Sequence, residues 1–311
     1  LKGTLTLFNP WPDALGVTLA AVAPKDTTVE LAAAHRIAAG EKLTVPFTVK
    51  SSPLWPSWYR LGFVARRGDR VLARTDTKFY SSGRVTEVPA ALSPIPLTGD
   101  RTGWPATAPV TAARRVGHVV KGKPVDGVPG EAQWRGPDDL SFNVRTAWHA
   151  DSGFHFLLEV TDNAIVLAKK GQHWFFYDCL ELFVDTRPVK DKTREYSVGA
   201  QQFLVQPHSG EAAAECPMII CGNQEKTVTL KAAGKRTAKG YAIEGIIRPR
   251  PGYKATFGPG KRIHVDFMID DTDSPSPARR RKAIMSLHSI HPNSSQDTSQ
   301  WGAYEMKGTG K

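Results

Sequence analysis

The chain has 311 residues, room for about two domains at roughly 150 residues each. Its 41% hydrophobic and 23% charged residues exclude a disordered chain and a collagen-like fibre. A net charge of +11 favours acidic partners by long-range attraction without bearing on fold.

No apolar run approaches the roughly 20 residues of a membrane-spanning helix, and Leu1 opens into a strand-like pattern without the basic and apolar regions of a secretory leader. Beginning without Met, the sequence is expected to be a processed chain or a piece of something longer. The 27 Gly and 23 Pro are scattered rather than repeated, as in a protein of short strands and many turns, so the expected class is all-β.

In chain order, Leu5 to Phe8, Val17 to Val22, Thr28 to Leu31, Leu43 to Val49, Tyr59 to Ala65 and Val71 to Phe79 read as strands at the spacing of a β-sandwich over 1–83. The segment Ala32 to Ala38 reads as a helical turn or a loop. From 84 to 122, Pro89, Pro94, Pro96, Pro105 and Pro109 break any ladder they enter, and this stretch reads as an extended, Pro-rich linker. Strands resume over 123–311 at Val144 to His149, Phe154 to Val160, Cys179 to Val184, Phe203 to Gln206, Val228 to Ala232, Tyr241 to Ile247 and Arg262 to Ile269. No amphipathic helix separates them, which points to a second antiparallel sandwich.

Alternation assigns the faces. In Cys179 to Asp185 the even positions Leu180, Leu182 and Val184 belong on a core, and Cys179, Glu181, Phe183 and Asp185 face the other way. Gln202, Leu204 and Gln206 separate in the same manner from Phe203 and Val205, as do His264, Asp266, Met268 and Asp270 from Val265, Phe267 and Ile269. The expected result is a sheet with one apolar face and one polar face, either solvated or open to a polar ligand. The spacing of Cys216 and Cys221 allows a small disulfide loop, whereas Cys179 reads as a buried thiol.

The run Val125-Asp126-Gly127 to Trp134 resembles the opening of family 9 carbohydrate-binding modules. Further motifs follow in the family's order: Phe154 to Val160 with Thr161-Asp162, Asp178 to Asp185, Gly240 to Glu244 with Ile247 and Pro249, and Trp301-Gly302. The resemblance covers about Lys123 to Met306. It implies a β-sandwich that grips sugar between two aromatic rings beside a Glu, amides and basic groups. An aromatic ring stacks on the C–H face of a pyranose, and polar groups pair with the hydroxyl rim. Carried over position by position, the first ring falls on Trp174 or Phe175, the Glu on Glu181, the amide on Gln202, and a second polar position near Gln206, with Asn293 nearby. The second ring should stand near Ser295, where there is none, leaving Trp148, Tyr177 or a residue of the first domain to substitute. The first domain resembles immunoglobulin- or fibronectin-like sandwiches in pattern, notably Ile37 to Glu41 before its strand. Its cluster Trp55-Pro56-Ser57-Trp58-Tyr59 reads as packing, with an exposed sugar platform as the alternative.

Other constellations are weaker. Arg279-Arg280-Arg281-Lys282 reads as a solvated loop able to meet sulfate or uronate groups. His288 and His291, with His264 and His173 elsewhere, lack a converging third ligand. Asp270, Asp271, Asp273 and Asp162 are oxygen-rich enough for a structural Ca²⁺, which related modules often bind. Glu181 and Asp185 lie about 13 Å apart along a strand, too far to act as a glycosidase pair, and no nucleophile or phosphate-loop motif is present. Domains similar to the second region include haem modules, for which Met285, Met268 and His264 would be the candidates. The resulting expectation is a non-catalytic carbohydrate-binding accessory region of a secreted, periplasmic or surface polysaccharide-processing enzyme, with a structural spacer or haem module as alternatives. Its expected partner is a polysaccharide or oligosaccharide of acidic type, with no nucleic acid and no membrane insertion, and a catalytic domain covalently linked or associated.

Overall fold

The computed structural model describes residues 2–24, 27–51, 57–81, 83–122, 133–188, 195, 197–222, 226–274, 283–289 and 297–308. The chain divides into two units, Leu1–Ser81 and Ser82–Lys311. Both are built from antiparallel strands, as the alternating patterns require.

In the first unit, β1 (Lys2–Phe8), β3 (Thr27–Leu31) and β5 (Lys42–Ser51) form one sheet in the order β1-β5-β3. The other, β4-β2-β6-β7, comprises β2 (Leu15–Val22), β4 (Ala34–Ile37), β6 (Ser57–Arg67) and β7 (Arg70–Ser81). Inward residues meet between them, with the rings of Phe47 and Phe63 4.9 Å apart. The segment Ala32 to Ala38, read as a helical turn or a loop, instead holds β4 at Ala34–Ile37, because pairing with β2 gives its backbone a ladder.

The second unit holds a six-stranded and an eight-stranded sheet. The first runs β15-β17-β18-β12-β11-β9, from β9 (Val110–Ala113), β11 (Leu140–His149), β12 (Gly153–Asp162), β15 (Ala214–Glu215), β17 (Val228–Thr237) and β18 (Gly240–Pro249). The other runs β10-β20-β19-β13-β14-β16, from β10 (Val119–Lys121), β13 (Cys179–Asp185), β14 (Ala200–Val205), β16 (Met218–Cys221), β19 (Arg262–Asp271) and β20 (Ala283–Ser286). Onto it β21 (Gly302–Met306) adds beside β19, and β8 (Thr86–Val88) pairs in parallel with β21. The inner faces share one core in which Leu180, Leu182 and Val184 of β13 meet Phe154, Phe156 and Leu158 of β12, as the alternation predicted. Cys216 lies in this core and Cys221 on the edge strand β16; both are free, so the possible disulfide does not form.

The Pro-rich stretch expected as a linker belongs to the second unit. Its Pro residues enter no central strand, yet side-chain packing and single hydrogen bonds need no ladder. Ala91 N–H donates to Trp148 O (2.7 Å), Trp148 N–H donates to Pro89 O (3.0 Å), and Ala91 and Ile95 pack on Ala147 of β11. The fastening is Glu244 of β18, whose carboxylate accepts from Thr98 N–H (2.6 Å), Gly99 N–H (2.8 Å) and Trp104 Nε1–H (2.6 Å). Burial pushes this carboxyl above its ordinary range, against the pull of the three donors.

The outer face of the eight-stranded sheet is covered as well. Trp301 stacks on Phe183 at 5.2 Å and 28°, and Val120, Met268 and Ile284 complete a second small core there. Gly302 follows because the imidazole of His288 occupies the place of a Cβ, which would approach it to 2.4 Å. Beneath this layer Asp266 accepts from Ser286 Oγ (2.8 Å), the N–H groups of Phe267 (2.8 Å), His288 (3.1 Å) and Ser289 (3.1 Å), and the Ser289 hydroxyl. Complete burial nevertheless raises its carboxyl to about 6.

Two outcomes follow. Glu244→Ala strands three donors and should cost about 3 kcal/mol of stability, read as a lowered denaturant midpoint at unchanged slope. Because the Asp266 carboxyl is raised on folding, its stabilising contribution is complete below the ordinary carboxylate value and is lost as pH rises through about 6. Its span is about 3 kcal/mol. The difference in unfolding free energy between the wild type and Asp266→Asn, followed from pH 4 to 7, should show that slope; a pH-independent difference contradicts it.

Candidate functional site

The strand β13 organises the site. It lies between β19 and β14, and the residues before it, Trp174–Phe176, form a 3₁₀ turn that packs against β13 and β19. Trp174, Phe175 and Phe176 are all half-buried. Phe175 packs at a tilt within a ring cluster, 4.5 Å from Phe176 and 5.4 Å from His173. Among the described residues no aromatic ring is stacked on Trp174.

Glu181 and Gln202 come together on the outer face. Gln202 Nε2 donates to Glu181 Oε2 at 2.7 Å; Glu181 is 4% exposed, whereas Gln202 is half-buried. Gln206 is buried and turns to the backbone, donating to Ala168 O at 3.4 Å. Asn293 and the position near Ser295 lie outside the described residues, as do His291, the basic run Arg279 to Lys282, the tryptophan Trp55 and the opening motif from Val125 to Ala132. Trp148 and Tyr177 are both buried, and Trp148 Nε1–H donates to Lys307 O at 2.7 Å, so neither offers the second exposed ring.

An open polar face along the whole sheet is not what forms. Asp185 is buried and paired with Arg187 at 2.9 Å, and that guanidinium also donates to Thr298 Oγ at 2.8 Å. Phe183 lies under Trp301, and Asp266 is held by its serine and backbone donors. These covering groups come from distant parts of the chain, which alternation within one strand does not register. The ion pair with Arg187 also gives Asp185 a structural part unlike that of a glycosidase carboxylate.

The haem alternative is not assembled. Met285 points into the inner core and Met268 into the outer layer, so they occupy opposite faces of one sheet. His264 and Met268 share a face but are four residues apart on β19, about 13 Å along the strand. One iron cannot be held by any two of the three.

A different cluster does converge. Asp162 at the end of β12, Asp178 before β13 and Asp271 at the end of β19 bring carboxylate oxygens within 4.8 Å of one another, all three residues being buried. Asp178 accepts from Val166 N–H and from Thr272 N–H (2.8 Å); burial and the Asp162 charge hold its carboxyl well above the usual range. The buried Tyr241 hydroxyl has no hydrogen-bond partner among the described residues, and burial followed by the charges of Asp162 and Asp178 pushes it upward. Gly240, at φ 147°, lets the β17–β18 turn approach: a Cβ there would lie 2.4 Å from Val160 O and 2.9 Å from Asp162 N. A cleft of about 390 Å³ lined by Asp162, Asn163 and Lys239 adjoins the cluster. Sequence reasoning found Asp162 and Asp271 but placed Asp270 and Asp273 with them and missed Asp178. The available signal was its position at the head of the β13 motif.

The fold has known counterparts. A structure described as a carbohydrate binding module family 9 from Caldicellulosiruptor kristjanssonii in complex with cellotriose superimposes with a TM-score of 0.53 at 16% identity, covering 73% of this chain and 96% of that one. No curated protein matches the sequence. The family model for the carbohydrate family 9 binding domain-like proteins matches residues 121–309. With more than half of its length in that match, the chain belongs to the carbohydrate family 9 binding domain-like family.

Proposed function

We propose that the chain is a non-catalytic glycan-binding region whose second unit engages sugar at the Trp174 turn beside the Glu181–Gln202 pair. The observation that carries this reading is the Gln202–Glu181 hydrogen bond on the outer face of β13, whose entrance holds the half-buried indole of Trp174 in a turn packed against β13 and β19. Family membership and the cellotriose bound by the structural counterpart support it. Trp174 is the stacking ring of this reading and Phe175 its support, because the Phe175 face is already engaged by His173 and Phe176. Gln202 bonds Glu181 and fixes the hydroxyl-binding groups before a ligand arrives, which lowers the ordering cost of binding. Gln206 contributes by holding the loop at Ala168. The charge of +11 favours acidic polysaccharides, and a polymeric ligand places the chain in a secreted, periplasmic or surface setting as an accessory to a polysaccharide-processing enzyme. The first unit is then an immunoglobulin-like sandwich that precedes this module.

We further propose that Asp162, Asp178 and Asp271 hold a hard divalent cation, Ca²⁺ by its preference for carboxylate and carbonyl oxygen. Three buried carboxylates this close repel one another, and a cation among them would relieve that repulsion. A cation there would tie the ends of β12 and β19 to the turn that leads into β13, fixing the aromatic turn indirectly.

Affinity electrophoresis through gels containing neutral or acidic polysaccharides tests the first proposal. Retardation should appear with at least one glycan and fall about tenfold in Trp174→Ala, the loss of one stacking platform, with a smaller change in Phe175→Ala. Absence of retardation on every glycan, or wild-type retardation in Trp174→Ala, overturns it. For the cation, melting should fall by several degrees in EDTA and recover with excess CaCl₂, and Asp178→Asn should melt low in both. Identical melting curves with and without chelator reject the cation.

A further inference from the structure

We infer that the first unit carries its own sugar-stacking platform at the β1–β2 turn, carried by Trp11 with the exposed Phe8 three residues before it, distinct from the site at Trp174. Both rings are exposed, Trp11 by 48% and Phe8 by 55%, whereas among the described side chains of the unit Phe47 and Phe63 are buried and Tyr59 and Tyr80 half-buried. The surrounding turn is exposed throughout Pro10 to Ala14, yet it is not loosely held.

Its anchor is Asn9, a fully buried amide between two exposed neighbours. Asn9 Nδ2 is shared among the carbonyl oxygens of Asp13 (2.8 Å), Ile37 (3.0 Å) and Ala38 (3.1 Å), while Oδ1 accepts from Trp11 N–H (3.1 Å). The backbone closes the arrangement, with Asn9 N–H donating to Glu41 O and Gly40 N–H to Asn9 O, both at 3.0 Å. Pro10 and Pro12 fix their own φ and restrict the residues before them, so the backbone on each side of Trp11 has little freedom left to lose. The backbone that carries the exposed Trp11 is thus fixed by a buried amide and two prolines, which lowers the ordering cost of contact.

Size decides the occupant. Two rings about half exposed offer roughly 100 Å² each, well short of the about 800 Å² that each partner contributes to a stable protein interface. A pyranose face is matched to one ring. Asp13, Glu41 and Lys42 are exposed around the turn, Lys42 standing opposite Phe8 in the β1–β5 ladder, and supply the donors and acceptors that a hydroxyl rim requires. The platform therefore fits a glycan chain. A second contact on the same polymer raises overall binding without any change at the first.

Gel retardation of the full chain on soluble polysaccharide, compared among wild type, Trp11→Ala, Trp11→Phe, Trp174→Ala and the double alanine variant, tests the inference. Trp11→Ala should weaken retardation about tenfold at unchanged melting temperature. Trp11→Phe should keep most of it, and the double variant should migrate faster than Trp174→Ala. Wild-type retardation in Trp11→Ala, or no retardation of the wild type on any glycan, overturns the platform. Loss in Trp11→Ala with none in Trp174→Ala would retain this platform and remove the one proposed in the second unit.

Discussion

The second unit depends on one constraint, the burial of β13 on both faces. A strand interior to a sheet and covered over most of each side satisfies its polar groups chiefly within the protein, and its outer face meets a half-buried group only where Gln202 stands beside Glu181. The inner side solves this with aliphatic residues Leu180, Leu182 and Val184. The outer side carries Cys179 and then two carboxylates flanking an aromatic, and these three have specific partners: Gln202 for Glu181, Trp301 for Phe183 and Arg187 for Asp185. Such a strand cannot slip by one residue, since the slip would exchange an aliphatic core for charged groups. That rigidity suits it to hold a recognition turn at its entrance and an acidic cluster just before its first residue.

How much of this was legible in the sequence follows from the range of the interactions. Period-two alternation is local, and it located the inner core of β13, β14 and β19 correctly. The cover on the outer face is non-local: Trp301 and Thr298 come more than a hundred positions after Phe183 and Arg187. Nothing in the Cys179 to Asp185 pattern distinguishes a polar face left open from one roofed by distant residues. Asp178 escaped notice for a similar reason, because its two aspartate neighbours arrive from the ends of β12 and β19.

The proline-rich stretch shows the opposite limit. Proline density correctly indicates that 84–122 contributes little to central ladders, but exclusion from a ladder is not exclusion from a core. Ile95 and Ala91 bury apolar surface on β11, and the backbone amides of Thr98 and Gly99 converge on a single carboxylate. In the sequence Glu244 enters only as the last residue of the motif Gly240 to Glu244. Its partner set identifies it as the point at which a ladder-poor segment is tied to the sheet.

Preorganisation links the two aromatic turns, although their local chemistry differs. At Trp174 the turn is fixed by its place at the entrance to a doubly buried strand and by neighbouring rings, so the constraint is tertiary. At Trp11 the constraint is almost entirely local, a buried asparagine amide and two prolines within five residues. Both arrangements place the conformational cost of presenting an indole in the folding of the protein and outside the binding event. The second is readable from Asn9-Pro10-Trp11-Pro12-Asp13 once the burial of Asn9 is known. Without that burial the same five residues describe an ordinary exposed turn, since the composition is identical and only the hydrogen bonds of one amide separate a presented ring from a solvated one.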